Sequence, residues 1–462
     1  MNLEVGDRWH HPVHVFHDPD RPGAAPAAHT GRMSAELGVA RALSGVAATV
    51  WLGIVAHQLT VRQFGQVTLV LSLGSLVSLG TDLGIPLALA KVACDHDRLD
   101  RRAVGRAVLT RTIAGVIAGG VLVALWADAG QSQRWWMAAL YSISVVATPL
   151  GGSYLALLRG RAIGIVEAAY NVVSKLALLA VGLATLAAGW KPSGVIAAFV
   201  VVDVASSLAI PAVARRRLSL TGTADPLQRA ALRLRATLPL AAAGIIGSAY
   251  ERIDIWLLAL LKGSASVAVY VAAYKLYDTV LLPANAIASA AVAAAGPRLA
   301  TDARGIARRL ALRAALLTAP IGVVVAVAAP VLLRAAFGGH YGDASGAVTV
   351  LMVAALPGAS LAAVTPIALL CRRRVVSRWT LAALAGNVVA NLALVPAFGA
   401  RGAALAFLIT DSLLLAVFFA VLPGAGPVAG AEVSTVAAGR GKTAPHGDAP
   451  AVRLDRGGPL SR

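Results

Sequence analysis

Cysteine is scarce in this chain, and its rarity restricts the sites that the chain can form. Only two cysteines, Cys94 and Cys371, occur among 462 residues. A disulfide framework or a cysteine-based zinc site needs several cysteines at close and regular spacing. We therefore expect no structural disulfide, no metal site and no cofactor.

Charged residues are also few. They make up 14% of the chain, whereas 58% of the residues are hydrophobic and the mean hydropathy is +0.74. Because an average globular protein has about 25% charged residues, this composition excludes a soluble globular protein and predicts a multi-pass membrane protein. The net charge of +19 does not indicate nucleic-acid binding, since the basic residues lie in short connections between apolar segments.

Long apolar segments fill most of the chain. About 20 residues of helix cross the hydrocarbon core of a bilayer, and twelve segments suited to this task follow one another. The predicted spans, numbered 1 to 12, cover residues 37–59, 64–90, 104–127, 135–158, 163–188, 193–214, 236–261, 265–293, 310–333, 345–370, 376–396 and 399–422. The pattern predicts an all-α, polytopic membrane protein.

The two ends of the chain lack such segments. Residues 1–33 are polar, without the basic segment and apolar core of a cleaved signal peptide, and residues 423–462 are rich in Gly, Ala and Pro. Four histidines between Trp9 and Asp18 offer transition-metal ligands, but a disordered tail explains them better. We predict a disordered cytoplasmic tail at each end.

The connections between spans alternate in charge. Those after even-numbered spans contain 22 Lys and Arg residues, and those after odd-numbered spans contain 6. Positively charged connections stay in the cytoplasm, so we predict a protein of the plasma (inner) membrane with both termini cytoplasmic. The outer connections are short, which leaves no room for an outer catalytic domain and argues against an enzyme.

The chain divides into two similar halves of six spans each. Residues 34–214 form the predicted first bundle, residues 236–422 the second, and residues 215–235 a cytoplasmic linker. Nine residues separate Gly194 from Asp203 in the first half and Gly402 from Asp411 in the second. Repeats that run in the same direction place a pseudo-twofold axis along the membrane normal, with the substrate site between the halves.

Charges within the spans are the candidate functional residues. A charge at this depth costs at least ~2.5–3.5 kcal/mol unless it is paired or faces water. Span 7 contains Glu251, Arg252 and Asp254 beyond its midpoint. Either Arg252 pairs with one of the carboxylates, or these residues face a hydrated cavity.

Neighbouring spans contain further polar stripes. Their members are Glu167, Asn171 and Lys175 on one face of span 5, Asp203 in span 6, and Tyr274, Lys275 and Asp278 in span 8. Polar stripes on four neighbouring spans are costly against lipid. We therefore predict that they line a shared, water-filled cavity between the halves.

Three charged residues lie near the predicted cytoplasmic ends of spans 1 to 3. For Arg41, Asp82 and Arg111, snorkelling or an Asp82–Arg111 ion pair explains the charge as well as substrate contact does. Asn387 and Asn391 share a face of span 11, where helix–helix hydrogen bonding and cavity lining are both open.

Five segments occur in an order that is typical of one family. They are Arg62-Gln-Phe-Gly-Gln-Val67, Thr81-Asp-Leu-Gly84, Tyr250-Glu-Arg-Ile-Asp254, Val269-Tyr-Val-Ala-Ala-Tyr274 and the stretch from Asn387 to Ala404. In combination, over about residues 35–422, they resemble polysaccharide flippases of the multidrug/oligosaccharidyl-lipid/polysaccharide exporter superfamily. The resemblance implies twelve helices in two bundles around a central cavity that opens alternately to either side. It also implies an undecaprenyl-diphosphate-linked oligosaccharide as cargo, and a cavity role for Arg252, Asp254 and Asp82.

The residues in the spans suit this cargo. A diphosphate with attached sugars cannot cross hydrocarbon unaided, because its desolvation is too costly. We expect Arg252 with Lys175 or Lys275 to bind the diphosphate, and Arg41 and Arg111 are further cavity candidates. Asn171, Tyr250 and Tyr274 are expected to meet sugar hydroxyls. The candidates for a coupling proton or sodium ion, or for structural ion pairs, are Glu167, Asp203, Glu251, Asp254, Asp278 and Asp82.

Two other functions remain open. A drug or cation antiporter of the same fold should have an acidic cavity, against which Lys175, Arg252 and Lys275 argue. A polytopic glycosyltransferase, polymerase or ligase needs acids or bases in sizeable outer loops, which here offer only Asp128, His340 and Asp343. The expected partners are the lipid-linked oligosaccharide, membrane lipids, and polysaccharide polymerase and ligase machinery, with no nucleic acid.

Overall fold

The computed structural model describes residues 44–423 except residues 46, 128–134, 162, 223–224 and 286–298. Arg41, the histidines of the first tail and residues 424–462 therefore lie outside the described residues. The described chain is almost entirely helical. Besides the helical residues 47–58, its helices are α1 (Val61–Gly80), α2 (Ile85–Asp95), α3 (Arg101–Trp126), α4 (Trp135–Gly160), α5 (Gly164–Ala187), α6 (Ser193–Arg217), α7 (Pro226–Ala231), α8 (Leu234–Tyr250), α9 (Ile253–Lys262), α10 (Ser264–Val280), α11 (Leu299–Phe337), α12 (Ser345–Phe398) and α13 (Ala400–Val421).

Within the described residues, nine helical segments are long and apolar enough to cross a membrane. They are Val61–Gly80, Arg101–Trp126, Trp135–Gly160, Ile165–Ala187, Ser193–Arg217, Asp302–Phe337, Ser345–Arg372, Arg374–Phe398 and Ala400–Val421. These segments correspond to predicted spans 2 to 6 and 9 to 12. Spans 1 and 8 extend into residues outside the described part, and span 7 is interrupted. The all-α, multi-pass fold is confirmed, and the count of twelve stays a prediction.

Predicted spans 2 and 7 each contain a break in the helix. Span 2 consists of α1 and α2, joined at Thr81–Gly84, where Leu83 (φ 46°) and Gly84 (φ 68°) have left-handed backbones. Span 7 consists of α8 and α9, joined at Glu251 and Arg252, and Arg252 has a non-helical backbone (φ −132°, ψ −9°). A break leaves backbone N–H and C=O groups without helical partners, so both joints need polar neighbours.

The helices pack in two groups that meet mainly along α1 and α10. Helices up to α6 contact mostly one another, as do those from α8 onward. A side chain at Gly65 would begin 1.8 Å from the carbonyl oxygen of Ser264, so only glycine permits this close approach of α1 and α10.

Three aromatic rings pack together beside Gly65, at one end of the contact between α1 and α10. Phe64 of the first group lies 6.3 Å from Phe337 and 5.7 Å from Tyr341 of the second, measured between ring centroids. This end lies opposite the connections that are rich in arginine.

The segment that joins the two groups is fastened to the connection between spans 2 and 3. Strand β1 (Leu99–Asp100) pairs in parallel with β2 (Leu220–Thr221), with Leu99 opposite Leu220. The buried Asp100 accepts a hydrogen bond from Arg229 Nε at 2.9 Å, and its own N–H donates to Gln228 Oε1 at 2.8 Å.

Asp100 also caps the first turn of α3 by accepting from the backbone N–H of Arg102 at 2.8 Å. Burial tends to raise the pKa of Asp100, but the hydrogen bonds from Arg229 and from nearby backbone N–H groups outweigh it and lower the pKa to about 2. The carboxylate therefore stays ionised and holds α7 in place.

Candidate functional site

A cavity of about 90 Å³ lies between the two groups of helices, beside the break in span 7. It is lined by Ser72 of α1, by Glu251, Arg252 and Ile255 around the break, and by Val271, Tyr274, Lys275 and Asp278 of α10. The structure thus brings together five of the predicted site residues: Glu251, Arg252, Tyr274, Lys275 and Asp278. In this conformation the cavity has room for only a few water molecules, so a larger ligand needs the two groups to separate.

Arg252 is the cavity cation whose side chain has no direct partner among the described residues. No carboxylate of the described residues lies within 4.0 Å of its guanidinium, and its side chain makes no hydrogen bond to them. It interacts at longer range with Glu251 and Asp254. Lys275, in contrast, forms an ion pair with Asp278 at 2.7 Å. The break therefore presents an available guanidinium to the cavity.

The cavity wall is partly aromatic. The ring of Tyr274 lies 5.8 Å from that of Tyr270, 5.2 Å from that of Tyr277 and 6.0 Å from that of Phe407, measured between centroids. These contacts hold Tyr274 in place beside Lys275. An aromatic ring next to polar groups suits the apolar faces and hydroxyls of a sugar.

A second polar cluster lies in the first group of helices. Asp203 accepts a hydrogen bond from the hydroxyl of Ser144 and interacts electrostatically with Lys175. Lys175 itself has no ion pair within 4.0 Å among the described residues. Tyr141 of α4 interacts electrostatically with both Asp203 and Arg252, so it connects this cluster with the cavity.

The predicted stripe on span 5 is divided between two environments. Glu167 is buried and forms a bidentate ion pair with Arg159, with N–O distances of 2.9 and 2.7 Å. Lys175 belongs to the Asp203 cluster, and the half-buried Asn171 lies between them in the chain. None of the three lines the cavity in this conformation.

Arg111 and Asp82 form an ion pair at the break in span 2. The buried guanidinium also donates to the carbonyl oxygens of Thr81 (3.2 Å) and Pro149 (3.1 Å) and to the hydroxyl of Ser153 (2.9 Å). The bond to Thr81 satisfies a backbone carbonyl at the break. A substrate-contact role for Arg111 and Asp82 stays a prediction, as it does for Arg41, which lies outside the described residues.

Tyr250 is buried in a polar network of the second group rather than in the cavity lining. Its hydroxyl lies 3.0 Å from Thr410 Oγ1 and donates to Asp411 Oδ1 at 2.7 Å. Asn387 Nδ2 donates to the same Thr410 oxygen at 3.2 Å, and Asn391 Nδ2 donates to Asn387 Oδ1 at 2.9 Å. Asn387 therefore bonds from α12 to α13, whereas Asn391 bonds to Asn387 within α12.

Asp254 and Asp411 are buried carboxylates, each without a basic side chain within 4.0 Å among the described residues. Asp254 accepts hydrogen bonds from the hydroxyl of Tyr270 and, at 2.8 Å, from the N–H of Ile255. The sequence reasoning did not include Asp411 among the site candidates. The repeat contained the signal, because Asp411 corresponds to Asp203 and both accept from a neighbouring hydroxyl.

Comparison with known proteins gives one family and a set of structures. The family described as polysaccharide biosynthesis protein matches residues 35–300. The curated protein sequences give no match.

Several solved structures share the fold. A eukaryotic MATE transporter, AtDTX14, superposes with a TM-score of 0.57 at 13% identity, over 86% of this chain and 97% of that one. An inward-facing multidrug resistance MATE family transporter of the MOP superfamily gives a TM-score of 0.55 at 15% identity, over 82% of this chain and 92% of that one. An outward-facing one gives 0.54 at 16% identity, over 86% and 94%. At these identities the similarity shows the fold alone.

Proposed function

Because this chain belongs to the polysaccharide biosynthesis protein family, we propose that it is a membrane transporter that moves an undecaprenyl-diphosphate-linked oligosaccharide from the cytoplasmic to the outer leaflet. The single observation that supports this cargo is the guanidinium of Arg252 beside the cavity, which has no carboxylate within 4.0 Å in the part of the chain that the structure describes. A diphosphate needs charge-assisted hydrogen bonds to replace its hydration. Arginine supplies them in a planar fork that matches phosphate oxygens.

The other cavity residues fit the rest of the headgroup. Tyr274 offers a ring and a hydroxyl, and Ser72 a second hydroxyl, to the sugars. Lys275 becomes a further phosphate ligand if it exchanges Asp278 for the substrate. Lys175 serves the same purpose from the first group of helices once the cavity widens toward Asp203.

Transport requires the cavity to open first to one side and then to the other. In this structure the aromatic contact of Phe64, Phe337 and Tyr341 closes the end opposite the arginine-rich connections. We propose that this closed end faces outward, so that substrate enters from the cytoplasm between α1 and α10. Structures with this fold exist in inward-facing and outward-facing conformations, which supports a change of this kind.

The driving ion in this proposal binds within the second group of helices. Asp254 is buried at the N-terminus of α9, two residues after Arg252, and among the described residues its close partners are hydrogen-bond donors without a positive charge. A carboxylate without a close cation can take up a proton or sodium ion. Its position next to Arg252 allows ion binding and substrate binding to affect each other.

Replacement of Arg252 tests the proposal. The purified chain is reconstituted into vesicles, and the translocation of a fluorescent lipid-linked oligosaccharide is measured. The loss of charge-assisted bonds worth about 1.5–3 kcal/mol predicts a tenfold or greater loss of rate in Arg252→Ala and a smaller loss in Arg252→Lys. The matched control is Lys262→Ala, which removes an exposed charge from the same helix, α9. Wild-type rates in Arg252→Ala would exclude the proposed cargo contact.

A drug or cation antiporter is the second candidate, because two carboxylates, Glu251 and Asp278, also line the cavity. In that case cells that produce the protein should resist cationic dyes, and Glu251→Gln should remove the resistance. Unchanged dye sensitivity together with active lipid translocation would leave the flippase as the function.

A further inference from the structure

The arginine-rich end of the first group of helices contains an arrangement of arginines that the transport cavity does not use. Seven arginines there are exposed and have no carboxylate within 4.0 Å among the described residues. They are Arg98, Arg101, Arg102, Arg106, Arg215, Arg216 and Arg217, and we call them the arginine patch. Arg101, Arg102 and Arg106 lie in the first turns of α3, and Arg215–Arg217 end α6.

The strand pair brings these two helix ends together. Asp100 of β1 immediately precedes α3 and pairs with Thr221 of β2, four residues after the end of α6. The buried faces of both helix ends belong to one hydrophobic cluster, which includes Ala103 of α3 and Ala214 of α6. The arginine patch is therefore formed by two helix ends whose relative position is fixed by the strand pair and by shared hydrophobic packing.

Nearby carboxylates do not neutralise the patch. Four acidic residues lie in the same connections, and three of them are engaged elsewhere: Asp97 with Arg161, Asp100 with Arg229 and Asp225 with His96. The fourth, Asp95, is exposed and forms no ion pair within 4.0 Å among the described residues. The carboxylates of these connections thus mostly form ion pairs with other residues. The arginines of the patch have no carboxylate within 4.0 Å among the described residues.

Exposed apolar side chains lie next to the arginine patch on α3 and α6. Arg102, Arg106, Leu109 and Ile113 recur at spacings of four, three and four, so they share one face of α3. Leu109 and Ile113 are 58% and 53% exposed. On α6, Leu208 is 61% exposed and lies seven residues before Arg215. A ligand that covers these faces has apolar chains and, at one end, anionic charge.

We propose that the arginine patch binds the headgroups of anionic phospholipids, whose acyl chains lie along α3 and α6. Arginine binds phosphate oxygens in a bidentate manner, and basic residues just outside a membrane span attract acidic lipids additively. The patch lies at the depth of the headgroups because it occupies the ends of spanning helices. This proposal is independent of the cargo, because Arg252 and the cavity residues take no part in it.

Native mass spectrometry of the purified full-length chain tests the proposal, with titrations of phosphatidylglycerol and, as a zwitterionic control, phosphatidylcholine. We expect phosphatidylglycerol to bind the wild type at least tenfold more tightly. The triple variant Arg215→Gln/Arg216→Gln/Arg217→Gln should lose about tenfold in affinity or more. The matched control Arg308→Gln/Arg313→Gln/Arg378→Gln removes the same charge from exposed positions of the second group, and its affinity should change less than about twofold.

A second pair of variants tests whether lipid binding depends on the arrangement of the two helix ends or only on the net charge of the surface. Gln228→Ala removes the bonds to Asp100 N–H and to the carbonyl of Arg98 without a change of charge. Asp100→Asn weakens the bond to Arg229 and makes the surface more positive. We expect weaker phosphatidylglycerol binding in both, because β1 and β2 no longer hold the two helix ends together.

Four results would overturn the proposal. Equal affinity for phosphatidylglycerol and phosphatidylcholine excludes selective headgroup binding. An equal loss in the control triple variant, or tighter binding in Asp100→Asn, shows that affinity follows overall charge rather than the patch. If the patch variant loses affinity for a polyprenyl diphosphate but not for phosphatidylglycerol, the surface belongs to the carrier lipid instead.

Discussion

Arg111 donates a hydrogen bond through Nε to the carbonyl oxygen of Thr81 at 3.2 Å, and Thr81 is the residue that follows the first helix of span 2. A side chain of span 3 thereby replaces a helical partner that the break removes. The same guanidinium pairs with Asp82, so one buried arginine satisfies both the backbone and the acid at this joint.

Replacement of Arg111 should therefore destabilise the fold. Arg111→Ala removes the partner of Asp82 and of the Thr81 carbonyl, and we expect a loss of about 2–3 kcal/mol, reduced from the value for a fully buried pair because Asp82 is 48% exposed. Thermal unfolding of the detergent-purified protein measures it. The control Arg106→Ala, at an exposed position of the same helix, should change stability by less than about 0.5 kcal/mol. Equal stability of the two variants would contradict a structural role for Arg111.

A larger side chain in place of Gly65 should change the conformation of the protein. A side chain at residue 65 pushes α1 away from α10, because its Cβ would lie 1.8 Å from the Ser264 carbonyl oxygen. In Gly65→Leu we expect the aromatic closure to open, so that a cysteine at Val67, which is buried in the wild type, reacts several times faster with a membrane-impermeant maleimide. Both native cysteines are replaced by serine for this measurement. Gly120→Leu is the control, since Gly120 faces open space. Unchanged labelling in Gly65→Leu would show that the closure does not depend on this contact.

If Asp254 binds the coupling ion, its charge should make transport depend on an ion gradient. Asp254→Asn keeps a polar side chain beside Tyr270 but removes the negative charge that would bind a proton or sodium ion. We expect translocation in vesicles to become independent of imposed gradients of either ion. Asp278→Asn serves as the comparison, because Asp278 is already neutralised by Lys275 at 2.7 Å. If Asp254→Asn retains the full response to the gradient, the coupling ion binds elsewhere.

The ion pair of Asp100 with Arg229 should make the docking of α7 sensitive to acid. Its pKa is lowered to about 2 in the folded protein, below its ordinary value, so its contribution to docking is complete above about pH 4 and is lost as the pH falls through about 2. Hydrogen exchange of the amides of residues 225–231, corrected for intrinsic rates, should rise over that interval. Asp100→Asn should show the same rise at neutral pH. Protection that persists in Asp100→Asn would mean that Gln228 and β2 hold α7 without the carboxylate.

The position of several site residues was open to prediction from the sequence because it follows from local spacing. Lys275 and Asp278 are three residues apart in a helix, and their ion pair is a consequence of that spacing. Arg252 stood out because a charge in an apolar segment is costly. Neither argument revealed that span 7 breaks at Arg252, since a helix break depends on whether neighbouring helices supply partners for the freed backbone groups.

The sequence by itself determined the all-helical, multi-pass architecture and its family resemblance, because the free energy of placing apolar segments in a bilayer depends on composition and length. Only the tertiary structure decided which polar side chains pair between distant parts of the chain. Asp100 binds Arg229 across 129 residues, and Tyr250 binds Asp411 across 161. Such pairs form between side chains that the packing of helices brings together, and spacing along one helix contains no information about them. For the same reason, only the structure showed that Arg252 has no carboxylate within 4.0 Å among the described residues.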